Sequence, residues 1–84
     1  MYMTNHASVR SQQRSIPLNV IDIVVKYGDF KPAGHGKESY YFSKNTWDLL
    51  KNELELDKKT LEKCRSVYVV TSKRGAVITV AHKH

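Results

Sequence analysis

The closing segment Ser66–His82 constrains the fold more than any other stretch. It reads as two strands, SVYVVTS and AVITVAH, joined through SKRG. Both runs are rich in Val, Ile, Tyr and Thr, the residues that suit a pleated, half-buried surface. Gly75 stands at the fourth turn position, where a type I turn followed by a bulge needs a residue tolerant of positive φ. Side chains alternate between faces along a strand, so Ile78, Val80 and His82 are expected on one face. If Ile78 and Val80 enter the core, His82 emerges on the helix-covered side, at the end of a sheet.

A hairpin alone is marginal in water and must be covered by other elements. The best candidate is SIPLNVIDIVVKYG, in which Ile16, Val20, Ile21, Val24 and Tyr27 form one helical stripe. Ser15 is a candidate cap, Pro17 suits a first turn, and Gly28 is expected as a left-handed stop. Before it, Thr4 or Asn5 caps a polar helix running to about Arg14. After it, DFKPAGHGKE reads as a loop broken by Pro32, Gly34 and Gly36, and ESYYFS as a strand. Ser43 or Asn45 then caps a helix carrying Trp47, Leu50 and Leu54, and Asp57 caps a short turn with Leu61 and Cys64. The predicted order is α-α-β-α-β-β: an α+β domain with its helices on one face of a small, mostly antiparallel sheet. One domain over residues 1–84 is expected from the length, with 40% hydrophobic residues for its core.

The longest apolar run, VIDIVV, falls well short of the roughly 20 residues of a membrane span, so no membrane association is expected. The stretch MYMTNHASVRSQQRS lacks the apolar segment of a secretory signal. Cys64 is the single cysteine, which fits a reducing, cytoplasmic setting. The formal net charge of +6 points to a polyanionic partner, either nucleic acid or an acidic protein.

Chemistry concentrates in the basic and imidazole side chains. His6, Arg10 and Arg14 fall at i, i+4 and i+8 on one helical face, with Gln13 beside them. Like charges stacked this way repel, so local helix stability does not explain the row. Metal-free RNA cleavage needs an acid, a base and cations around the phosphate. Histidine, with an ordinary pKa near 6.5, suits the first two roles, and Arg and Lys supply the cations. The candidate catalytic set is His6, Arg10 and His82. Arg14, Gln13, His35, Lys37, Tyr40 and Lys83 are candidate substrate contacts, with Tyr40 and Tyr41 offering rings for stacking. No metal site and no cofactor are expected: C-x-x-C, H-E-x-x-H and G-x-x-x-x-G-K-[ST] are absent, and a His82–His84 clip has no supporting ligand spacing.

Three blocks carry a family resemblance: His6-x3-Arg10-x2-Gln13-Arg14-x-Ile16-Pro17, the central YG…GHG-x3-YYF, and the closing VYVVTSKRGAVITVAHK. Together they resemble a family of small bacterial domains of unknown function grouped with RelE/ParE-type toxins and colicin D-like ribonucleases. The resemblance implies a RelE/barnase/colicin-like fold, an RNA-directed and metal-independent endoribonuclease of toxin type, and an acidic antitoxin as a further partner. It matches His6, Arg10, Arg14, His35 and His82 in this chain. Two departures stand out: Ser15 replaces a common Gly, and Ala81-His82-Lys83 stands where many members have Gly-His-Arg. The competing expectation is a non-catalytic module that binds nucleic acid or an acidic partner, and a third is a protein adaptor using the Tyr40–Phe42 strand.

Overall fold

The structure, a computed structural model, describes residues 2–83. Four helices and four strands follow one another as α1 (Asn5–Gln13), α2 (Leu18–Tyr27), β1 (Asp29–Pro32), β2 (Lys37–Tyr41), α3 (Lys44–Leu50), α4 (Lys58–Ser66), β3 (Val67–Ser72) and β4 (Val77–His82). The α+β class and the antiparallel pairing agree with the sequence reading. The order does not: it is α-α-β-β-α-α-β-β. The extra strand, β1, lies in the segment read as a loop. It is a short edge strand with three exposed residues, ending at Pro32, and so lacks the apolar alternation that marks a strand in sequence. The extra helix, α4, extends the turn expected after Asp57, whose side chain accepts from the Thr60 amide.

The sheet runs β1-β2-β3-β4, with every neighbour antiparallel. In β3, Val67, Val69 and Thr71 are buried, while Tyr68, Val70 and Ser72 are half-exposed. One face of the sheet is therefore covered and the other open. The covering core is made by Val20, Ile21 and Val24 of α2 against Val67, Val69, Val77 and Val80. Phe42 and Trp47 close one end of it, their rings edge-on with centroids 5.6 Å apart. Tyr27 does not join this stripe and is 42% exposed.

The terminal hairpin forms as expected. The Gly75 amide donates to the Ser72 carbonyl at 2.9 Å, and Gly75 has φ 85°. The register shifts between Val70 and Thr71, so that Thr79 faces Val70 and Val77 faces Thr71. This bulge replaces Ile78 with Val77 as the core residue at the start of β4: Val77 is buried and Ile78 only half-buried.

Two helix ends depart from expectation. Gly28 has φ −75° rather than a left-handed value. A Cβ there would lie 2.5 Å from the Val24 carbonyl oxygen and 2.8 Å from that of Tyr41, so close backbone approach requires glycine. The left-handed stop occurs instead at Ser15, with φ 52°. The Ile16 amide donates to Ser11 O at 2.9 Å and the Ser15 amide to Gln12 O at 3.2 Å, which closes α1 in a Schellman motif. Ser15 thus ends α1 instead of capping α2, which begins after Pro17 without a side-chain cap.

A β-carbon in left-handed backbone costs about 1 kcal/mol or somewhat more. Ser15→Gly is expected to stabilise the protein by about 1 kcal/mol, raising Tm by about 4–8 °C for a domain of this size. Thermal unfolding followed by circular dichroism measures this; an unchanged or lowered Tm would mean that the Ser15 side chain offsets the strain.

Candidate nucleic-acid interface

β4 is an edge strand, and α1 lies along it in the same direction. The Thr4 amide donates to Val77 O at 2.9 Å and the Val77 amide to Tyr2 O at 2.9 Å, while Thr4 Oγ1 donates to Ile78 O at 3.3 Å. At the far end, Arg14 Nη1 donates to Val80 O at 2.8 Å. His82 Nε2 lies 3.2 Å from Arg14 O, an oxygen that can only accept, so this nitrogen carries the proton. Arg14 and His82 therefore form a reciprocal clamp: each side chain satisfies a backbone carbonyl on the other's element.

His82 lies on the helix-covered face, opposite buried Val67. The partner it meets, however, is the C-terminal end of α1. His6 is exposed in the first turn, eight residues before Arg14, or about 12 Å along the helix axis. Helical side chains also lean toward the N-terminus, which carries the His6 ring further away. An acid and a base serving one phosphate must each come within about 3 Å of the atoms they act on. The expected His6–His82 pair is not assembled. Arg10 is half-buried one turn after His6, and Gln13 is exposed.

His35 and Lys37 are placed at the other end of the sheet. Gly34–Lys37 is a tight turn closed by Lys37 N to Gly34 O at 2.9 Å, with His35 at φ 51° and Gly36 at φ 73°. Lys37 pairs with Ser72, whereas His82 pairs with Val67. Five strand residues separate the two rows, about 17 Å. Neither His35 nor Lys37 shares a site with His82. Tyr40 is also displaced from the expected role: it faces the helices opposite Val69, with its ring 5.9 Å from that of Phe30.

The open face holds a different constellation. Tyr41 lies beside Tyr68, which lies beside Ala81. Lys31 Nζ sits 5.5 Å and Lys83 Nζ 5.8 Å from the centre of the Tyr41 ring. With Ser39, Ser43 and Lys44 these side chains line a groove of about 540 Å³ that no carboxylate lines. Lys83 is fixed in place, its amide donating to Ser66 O and its Nζ to Phe42 O at 2.8 Å. Partial burial and the nearby charge of Arg65 lower its pKa. Asp29, at the margin of this face, is already engaged. It accepts from the Ser43 amide at 3.0 Å and the Thr46 hydroxyl at 2.7 Å, and hydrogen bonds from Ser43 and Thr46 hold its carboxyl below the usual range. The Lys51–Asp48 contact is the single ion pair among the described residues, so the groove's cations have no such partner there.

No family model, curated protein or solved structure matches the chain. Its chemistry is read from its own geometry. Among the described residues no three His, Cys, Asp or Glu side chains gather as metal ligands; His84 lies outside them. Cys64 is buried and burial pushes its thiol up to about 11, which keeps it protonated at neutral pH and unsuited to nucleophilic attack. Among the described residues no helix is long and apolar enough to cross a membrane.

Lys83 was legible in sequence as a cation beside His82. Lys31, Lys44 and Tyr68 were not singled out, because they come from three separate elements. Strand parity alone could have pointed to Tyr68, which alternates with the apolar Val67 and Val69.

The clamp yields a stability prediction. A hydrogen bond to a charged group contributes about 1.5–3 kcal/mol. Arg14→Met, which keeps the apolar stem, is expected to lower unfolding stability in urea by about 2 kcal/mol. A loss below a few tenths of a kcal/mol would show that the clamp does not hold α1 to β4.

Proposed function

We propose that this protein is a nucleic-acid-binding module that takes single-stranded RNA on the open face of its sheet. The observation that carries the reading is the Tyr41 ring flanked by Lys31 and Lys83 in a groove without carboxylates. Unstacked bases have exposed π-faces, and aromatic rings on a sheet accept them regardless of sequence. Two cations this close to the ring suit a backbone passing beside a stacked base. A duplex, whose bases are already stacked, gains nothing from the ring.

The net charge of +6 supports the same partner class. So does the family resemblance of the three sequence blocks, as far as RNA is concerned. The ribonuclease part of that resemblance is not adopted. It needs a histidine pair, and the proposed groove contains no histidine. His82 and Arg14 act in this reading as structural residues.

Fluorescence anisotropy with a short single-stranded RNA tests the proposal. Binding is expected to weaken with salt, log K falling by about 0.7 per unit of log salt for each phosphate contacted. Tyr41→Leu is expected to cost about 1–3 kcal/mol of binding, and Lys31→Gln to reduce the salt slope by about one contact. His6→Ala and His35→Ala should bind as the parent does. Unchanged binding by Tyr41→Leu, or tighter binding of duplex than of single strand, would overturn the reading; retention of only an acidic protein would replace it with the adaptor reading.

A further inference from the structure

The groove on the open face does not end at Lys83. A second groove, of about 400 Å³, continues from it between α3 and α4, and Lys44, Arg65, Ser66 and Glu62 line it together with Lys83. Ser43, Lys44 and Lys83 belong to both. The two halves differ in chemistry. The first offers the rings of Tyr41 and Tyr68. The aromatics of the second, Phe42 and Trp47, are buried at 1% and 7% exposure, so no base can stack there. It presents cations instead.

Three of those cations, Lys44, Arg65 and Lys83, line this one groove. Lys83 Nζ gives one N–H to Phe42 O and keeps two for a ligand. Arg65 lines the same groove, and its charge opposes that of Lys83. Lys44 enters from the first turn of α3. The serine hydroxyls add no donors, because Ser43 Oγ donates to Thr46 Oγ1 and Ser66 Oγ to Lys63 O. Three cations lining one groove are poorly matched by an internal phosphodiester, which carries a single charge. A phosphomonoester carries between about −1.5 and −2 at pH 7 and presents three strong acceptor oxygens. Glu62 also lines this groove, and its carboxylate repels further phosphates, so a strand that reaches the groove is favoured to end in it.

Building on the binding mode proposed above, we infer that the Lys44–Arg65–Lys83 corner recognises a terminal phosphomonoester of a single-stranded nucleic acid whose adjoining base lies against Tyr41. The corner supplies selectivity for strand ends, and the ring supplies the sequence-independent grip. Arg65 can bind the phosphate through two parallel N–H bonds, and lysines 44 and 83 act as point charges.

The experiment compares one short single-stranded RNA in three forms: with a 5′-phosphate, with a 3′-phosphate, and with hydroxyls at both ends. The set is repeated as DNA. One phosphorylated form is expected to bind about tenfold more tightly than the hydroxyl form, the scale of one charge-assisted contact. Arg65→Gln, an exposed position whose substitution leaves the core intact, is expected to abolish that preference and leave the affinity of the hydroxyl form within about twofold. Tyr41→Leu should weaken all forms alike and keep the preference. Equal binding of all three forms by the parent protein would overturn the end-recognition inference and leave the open-face reading standing. A preference that survives in Arg65→Gln would overturn the assigned corner. Failure of every form to bind would overturn both.

Discussion

The edge of β4 is the constraint on which the rest of the molecule depends. A four-stranded antiparallel sheet has two edges, and an unpaired edge offers its carbonyls and amides to any other chain. β1 meets this by brevity, exposure and Pro32. β4 is longer and its flank is taken by α1. Thr4 bonds at the start of the strand, and the Arg14–His82 clamp closes the end. Because Ala7 and Ser11 on the same helix are buried, α1 also covers that side of the core. Two of the polar residues that look most chemical in the sequence, Arg14 and His82, are thus recruited to hold an edge closed.

That recruitment determines where partners can bind. On the covered face, the Arg14, His82 and Ser11 side chains are engaged with backbone. The open face keeps half-exposed aromatic rings and cations without carboxylate partners among the described residues. The positive charge is spread over both ends of the sheet, with Lys37 and Lys73 around the paired turns at one end and Lys31, Lys44, Arg65 and Lys83 at the other. Only the second set is combined with accessible rings, and only there does a backbone-anchored lysine fix the position of the charge. Rings provide affinity for bases of any kind, and fixed cations decide which part of the polyanion lies where.

Much of this fold was readable from local chemistry. Gly75 declared the hairpin turn, the Val20–Val24 stripe declared the core helix, and period-2 alternation put His82 on the helix-covered face. What failed did so for identifiable reasons. β1 has no buried face to leave an alternating pattern. The bulge between Val70 and Thr71 exchanged Val77 for Ile78, which no alternation rule anticipates. Ser15 rather than Gly28 takes the left-handed stop, and glycine at 28 is demanded instead by close approach to the Val24 and Tyr41 carbonyls. The site was less legible than the fold. Which of the adjacent Tyr40 and Tyr41 faces solvent depends on the register with β3, and Lys31, Lys44 and Arg65 come to line the two adjoining grooves only after three elements have packed.

The central claim is that polyanion recognition belongs to the open sheet face and not to the helix row that begins at His6. Backbone amide chemical-shift mapping during titration with a single-stranded RNA tests this most directly. The account predicts that shifts concentrate at Lys31, Ser39, Tyr41, Tyr68 and Lys83, with His6, Arg10 and Gln13 unaffected. Shifts centred on His6 and Arg10, with the Tyr41 surroundings silent, would contradict it.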